Sequence, residues 1–249
     1  MFLVFSDLDA SLLDHETYSF SEAKSSLQLL ARKKIPLILA SSKTKVEINF
    51  FRKKINNNYP FIYENGSGIF FEEYFNFGIS HKLIKNYLLS LQTQFSFELF
   101  SNLSIKQIEE YTGLKSEEAK RSQAREFSEP IIWNDSKKKL DQFKNLIKKK
   151  NMLASQGGRF LTISGQQNKA NALLWVKKLY ETRLKQDVIT IALGDSENDI
   201  KMLEIADHAV LIKHPKKDFP AIDHPSIIRT TEYGPSGWNN ALISLVNSL

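Results

Sequence analysis

Four places in this 249-residue sequence put charged or hydroxyl side chains where an apolar run stops. Phe2-Leu3-Val4-Phe5-Ser6-Asp7-Leu8-Asp9-Ala10-Ser11 ends in two carboxylates, with one apolar residue between them and a hydroxyl just beyond. In extended backbone alternate side chains share a face, so Asp7 and Asp9 point one way while Leu8 points into the core. Ile35-Pro36-Leu37-Ile38-Leu39-Ala40 ends at Ser41-Ser42-Lys43, and Val188 to Leu193 ends at Gly194-Asp195-Ser196-Glu197-Asn198-Asp199. Lys169 opens a helical pattern that follows another strand-like run. Taken singly, each is an ordinary turn, cap or solvated lysine.

Gathered at one sheet edge, these groups could carry out phosphoryl transfer. Clustered carboxylates repel, and a hard dication relieves them; Mg²⁺ is the usual choice because it keeps several waters and grips phosphate oxygens. Asp7, Asp9 and Asp195 are its candidate ligands, with Asp199 behind them. A carboxylate can also serve as nucleophile, splitting the reaction into formation and hydrolysis of an aspartyl-phosphate. In that scheme Asp7 attacks, while Asp9 protonates the leaving alkoxide and then deprotonates the incoming water. Lys169 would hold the charge of the transferring group, and the Ser41 hydroxyl would donate to its oxygens.

The elements needed to position these groups alternate along the chain. After the opening strand, Ser19 and Glu22 read as a capping box for a helix with Ala23, Leu27, Leu30 and Ala31 on one face. Thr44 and Glu47 form a second box, opening a helix to about Ile55. Phe61-Ile62-Tyr63 then leads into the turn Glu64-Asn65-Gly66, whose Asn-Gly readily takes positive φ. Strand, helix, strand, helix, strand predicts an α/β fold with a doubly wound parallel sheet, whose ligands bind at the carboxyl ends of the strands. From about Ile79 to Ser164 helical patterns at 81–95, 104–112 and 116–124 dominate, with strand-like runs at Pro130–Trp133 and Arg159–Ile163. This stretch reads as an inserted α/β domain, giving a core of 1–80 and 165–249 and an insertion of 81–164. A helix at 168–182, strands at 188–193 and 209–212 and a final helix at 238–246 complete the pattern.

Composition narrows the class. With 42% hydrophobic residues the chain can bury a sizeable core. No stretch approaches the ~20 apolar residues of a membrane helix, and no export pattern opens the chain, so a soluble cytoplasmic protein without membrane partners is expected. The absence of cysteine excludes disulfides, thiolate metal sites and cysteine nucleophiles. Lys137 to Lys150 holds seven lysines and one aspartate, which accounts for the whole formal charge of +6. Leu140, Phe143 and Ile147 form an apolar stripe there, so the lysines read as a solvated helix face; no run of aromatics is interleaved to stack nucleic-acid bases.

The order Asp-x-Asp-x-Ser, Ser41, Lys169, Gly-Asp-Ser-x-Asn-Asp resembles the haloacid dehalogenase superfamily of phosphatases. That resemblance implies a Rossmann-like core, Mg²⁺ dependence and a phosphoenzyme on Asp7, and the insertion looks like the α/β cap of the sugar-phosphatase branch. Ser41-Ser42-Lys43-Thr44, Glu64-Asn65-Gly66, Arg125-Glu126-Phe127-Ser128-Glu129-Pro130, Gly157-Gly158-Arg159-Phe160 and Gly234-Pro235-Ser236-Gly237-Trp238 are similar to the mannosyl-3-phosphoglycerate phosphatase family. The partner implied is a small phosphorylated sugar or glycosyl phosphoglycerate. Members usually carry Gly-Thr at Ala10-Ser11 and Gly at Ala170; a methyl at position 10 restricts φ beside the aspartate pair.

Within that resemblance Arg159 could take a glycerate carboxylate in bidentate fashion and Glu126 could accept sugar hydroxyls. Lys43, Asn65, Gly66, Ser196 and Asn198 complete the substrate-binding candidates. Two other readings stay open: a broader sugar phosphatase or phosphosugar mutase using the same phosphoenzyme, and a basic module that binds nucleic acid through Lys137–Lys150.

Overall fold

The computed structural model describes residues 1–157 and 160–248. In chain order its strands are β1 (Phe2–Ser6), β2 (Leu37–Ala40), β3 (Phe61–Tyr63), β4 (Gly68–Phe71), β5 (Glu73–Asn76), β6 (Phe97–Leu99), β7 (Ser128–Trp133), β8 (Leu153–Gly157), β9 (Phe160–Ser164), β10 (Ile189–Gly194), β11 (His208–Lys213) and β12 (Ile228–Tyr233). The helices are α1 (Lys24–Lys33), α2 (Lys45–Lys54), α3 (His81–Leu91), α4 (Ile105–Thr112), α5 (Ser116–Gln123), α6 (Lys137–Lys149), α7 (Lys169–Leu184), α8 (Ile200–Ile205) and α9 (Gly234–Ser248).

Among the described residues an eight-stranded sheet runs β12-β11-β10-β1-β2-β3-β4-β5. The six strands from β12 to β3 are parallel, and β4 and β5 add an antiparallel edge. The chain winds outward from β1 in both directions, so the topological switch lies between β1 and β10, where open α/β sheets bind ligands. Both strands are continuous apolar runs because both faces are covered. Val4, Leu39, Ile191 and Trp238 pack on one face; Leu3, Phe5, Leu173 and Met202 pack on the other.

The second sheet, β6-β7-β9-β8, is antiparallel and, with α3 to α6, lies between His81 and Ser164. It has its own apolar cluster, in which Phe97, Ile131, Phe143, Ile147, Leu161 and Ile163 are buried. The lysine-rich helix α6 buries Phe143 and Ile147, and Lys138, Lys148 and Lys149 are solvent-exposed.

The Thr44–Glu47 capping box forms, and α4 carries another in which Ser104 pairs with Gln107. The box expected at Ser19 and Glu22 does not form. Ser19 Oγ instead accepts from Ser21 N at 3.2 Å, and a short 3-10 turn over Ser21–Ala23 precedes α1. Ala31 is exposed; Ser26 is buried there, its hydroxyl donating to Asn239 Oδ1 at 2.7 Å. No helix among the described residues is long and apolar enough to cross a membrane.

Candidate active site

Asp7 lies immediately after β1, at the switch point, and its N–H extends the ladder to the Leu193 carbonyl at 2.9 Å. The same strand end is anchored from behind: Trp238 Nε1 donates to Ser6 Oγ at 2.9 Å, and that hydroxyl donates to the Asp7 carbonyl at 2.7 Å. β10 delivers Asp195 and, one turn further, Asp199. Gly194 is required at this point, because a Cβ there would stand 2.5 Å from Asp199 Cβ.

Lys169 opens α7, whose start is fixed by Asn168 accepting from Asn171 N at 3.0 Å. Its ammonium is fully buried and donates to Asp7 Oδ1 at 2.5 Å and to Asp199 Oδ1 at 2.6 Å. The other oxygen of Asp199 accepts from the N–H groups of Asp195 and Ser196, both at 3.2 Å, so its acceptor capacity is largely spent. Ser11 Oγ donates to Asp195 Oδ1 at 3.3 Å. Gly66 packs the turn against α7, since a Cβ there would fall 2.3 Å from the Asn168 carbonyl.

One oxygen each of Asp7, Asp195 and Asp199 lie within 4.8 Å of one another. Three carboxylates share one ammonium, and that surplus of negative charge on oxygen ligands fits a divalent cation such as Mg²⁺. The Asp9 carboxylate stands outside this trio. It lies 3.0 Å from Lys43 Nζ and is partly open to solvent.

Burial, with the neighbouring carboxylates added, raises Asp7 well above the usual range despite the opposing charge of Lys169. Asp195 is pushed up to about 7, first by burial and then by Asp199. Burial alone would lower Lys169, but Asp199 and Asp7 outweigh it and hold the ammonium above its ordinary value. Such carboxyl groups bind more protons folded than unfolded, so Asp195 lowers metal-free stability as pH rises from about 4 toward its folded value of about 7, and Asp7 acts in the same direction. The thermal midpoint of the metal-free protein should therefore fall between about pH 5 and pH 7.5, less so in Asp195→Asn, and Mg²⁺ should raise it more at the higher pH. A midpoint that climbs over this interval in wild type and variant alike would refute the charge assignment.

Position 10, where the methyl restricts φ, lies in the left-handed region: Ala10 is buried at φ 57. The left-handed conformation costs an L residue about 1–2 kcal/mol, against about 0.8 kcal/mol gained by burying a methyl. Ala10→Gly should thus change stability by no more than about 1 kcal/mol, whereas Ala40→Gly in buried β2 should cost about 2 kcal/mol. Equal losses in denaturant titrations would contradict this. Ala170 sits buried in the first turn of α7, where alanine is favourable.

The remaining candidates divide. Ser41 is buried at the end of β2, where its Oγ accepts from Lys43 N at 3.2 Å. Lys43, Asn65, Ser196 and Asn198 line a cleft of about 1160 Å³ between the two sheets, opposite Arg125, Ser128, Phe160 and Thr162. Asn198 Nδ2 donates to Asn65 Oδ1 at 3.2 Å across it. Glu126 is engaged elsewhere, paired with Lys45 and accepting from Tyr63 at 3.2 Å. Arg159 lies outside the described residues.

Sequence reasoning missed Glu64, a buried carboxylate in the left-handed turn after β3. It accepts from Glu126 N at 2.7 Å, Phe127 N at 3.0 Å and Ser128 Oγ at 2.5 Å, tying the second sheet to the first. Its signal is an acid directly ahead of Asn-Gly at a strand end.

A buried aspartate at the switch point, backed by a buried lysine and acids from the next strand, is an arrangement that can carry phosphoryl transfer on an α/β sheet. The sequence profile of the haloacid dehalogenase-like hydrolases matches residues 4–219, and the chain belongs to that family as a phosphoric monoester hydrolase. It is 32% identical to a Persephonella marina protein named glucosyl-3-phosphoglycerate/mannosyl-3-phosphoglycerate phosphatase, over 99% of this chain and 98% of that one. A Methanococcoides burtonii protein of the same name is also 32% identical, over 98% and 97% of the two chains. In fold, the chain is similar to a Thermoplasma acidophilum crystal structure, with a TM-score of 0.72 at 14% identity over 98% and 97%.

Proposed function

We propose that this chain hydrolyses mannosyl-3-phosphoglycerate, and its glucosyl counterpart, to the glycosylglycerate and inorganic phosphate. The observation that carries the reading is the buried Lys169 bridging Asp7 and Asp199 at the switch point, beside a cleft large enough for a glycosyl phosphoglycerate. The names of the relatives support the substrate class.

Asp7 and Asp195 would hold Mg²⁺ with Asp199 behind them, and the bound cation would supply charge stabilisation for the phosphoryl oxygens. Lys169 fixes one oxygen of Asp7 and leaves the other to attack phosphorus. The phosphorus–oxygen bond to the leaving group breaks as Asp9 gives that oxygen a proton. Asp9 then takes a proton from water, whose oxygen attacks the aspartyl-phosphate and releases phosphate, restoring Asp7. Ser41 and Lys169 stabilise the transferring group throughout. Residues 81–164 act as a cap over a core of 1–80 and 165–249, with Arg159 among the groups that read the substrate.

The test is phosphate release from a panel of sugar phosphates and glycosyl-3-phosphoglycerates, with and without Mg²⁺. Selective, Mg²⁺-dependent release from the glycosyl-3-phosphoglycerates is expected. A flat, slow profile would demote the reading to a general sugar phosphatase, and an isomerised phosphosugar without free phosphate would replace it with a mutase.

A further inference from the structure

The cations beside the catalytic loop are mostly neutralised. Lys43 is paired with Asp9 and Glu47, at 3.0 and 3.8 Å, and Lys45 with Glu126. Arg125 differs. Both of its hydrogen bonds leave from Nη1, at 3.3 Å to the Ser42 carbonyl and 3.0 Å to Ser128 Oγ, and both acceptors are uncharged. The nearby Glu64 carboxylate is already occupied by two backbone N–H groups and the Ser128 hydroxyl. Nε of Arg125 is buried and has no acceptor among the described residues.

The guanidinium is therefore held through one nitrogen, while its Nε/Nη2 edge carries the parallel donors that match a carboxylate. A partly buried cation facing neutral partners is costly, and a ligand anion recovers that cost. Arg125 lines the cleft. The carbonyl that holds Nη1 belongs to the residue after Ser41, so the guanidinium is tied one residue along the loop from the hydroxyl assigned to the phosphate.

We propose that Arg125 receives a carboxylate on the substrate's leaving group, and so selects phosphate esters whose alcohol carries an acid two carbons from the ester carbon. This rests on the phosphatase reading above and assigns its acid-recognition site to a residue other than Arg159.

The experiment compares phosphate release from mannosyl-3-phosphoglycerate with release from its analogue in which the carboxylate is reduced to hydroxymethyl. Wild type should favour the acid by about 100-fold in kcat/KM, and Arg125→Met should shrink that ratio to less than about threefold. If Arg125 only ties the loop, both rates fall together and the ratio keeps its wild-type value, which overturns the proposal. So does a ratio that collapses in Arg159→Met and survives in Arg125→Met.

Loss of the Ser42 tie could unfold that variant, so D-glycerate and glycerol are also compared as inhibitors of p-nitrophenyl phosphate hydrolysis. D-glycerate should inhibit wild type at a concentration about 100-fold below glycerol, and the gap should narrow in Arg125→Lys, which keeps the charge and loses the fork. Equal inhibition of wild type by the two compounds overturns the proposal. Wild type that ignores both glycosyl compounds, yet is inhibited by D-glycerate through Arg125, refutes the proposed substrate while upholding the carboxylate site.

Discussion

Asp7→Asn is expected to lower phosphate release by about 10⁴-fold or more while leaving the protein folded. The amide keeps the size of the side chain and can still accept from Lys169, which retains Asp199 at 2.6 Å. What is lost is the anionic oxygen that would form the bond to phosphorus. The substitution also removes one of three carboxylates crowded around one ammonium, and burial already disfavours ionisation of Asp7. The thermal midpoint of the metal-free variant should therefore equal or exceed that of wild type, the usual relation where a site is built at the expense of stability. Asp7→Glu keeps the charge but displaces it by a methylene, and should still cost about 10² in rate. An Asp7→Asn protein within tenfold of wild type, free of contaminating activity, would end the nucleophile assignment.

Lys169→Met is the second large effect, and it falls on stability as well as rate. The ammonium is fully buried, so its removal leaves Asp7 and Asp199 facing each other without a counter-charge. Breaking a buried pair in this way costs about 3–5 kcal/mol, which for a chain of this size is a drop of about 10 °C in midpoint. Turnover should fall by about 10²–10³ as the charge that would stabilise the transferring group disappears. Adding Asp199→Asn should recover part of the stability and none of the rate, because it relieves repulsion without restoring a cation. If the double variant is less stable than Lys169→Met, the repulsion argument fails.

The candidate site residues were legible because each sits at the end of a buried strand or the start of a helix, where an apolar run meets polar chemistry. Asp7, Ser41 and Asp195 end apolar strands, and Lys169 begins a helix, so the parallel topology alone brings them to one edge. The edge strands were not legible. β4 and β5 are joined at Glu72, which takes φ 65 with no glycine or asparagine to announce a turn; its exposed carboxylate instead meets Arg183 at 2.6 and 2.7 Å. β8 is mostly exposed and lacks an alternating pattern, and β12 is a largely polar edge.

The sequence by itself determined the alternating α/β order, the strand-end acids, and the family to which they belong, because burial on both faces writes continuous apolar runs and their ends are local signals. Only the tertiary structure decided how the charges pair. It brought Asp199 rather than the Asp9 carboxylate into the acidic trio, sent Asp9 to Lys43, spent Glu126 on Lys45, and made Glu64 the tie between the sheets. It also left Arg125 held, among the described residues, by uncharged acceptors alone. Such pairings join residues far apart in the chain at distances of a few ångströms, and no local propensity encodes them; they follow from which strand ends and turns the packed core sets side by side.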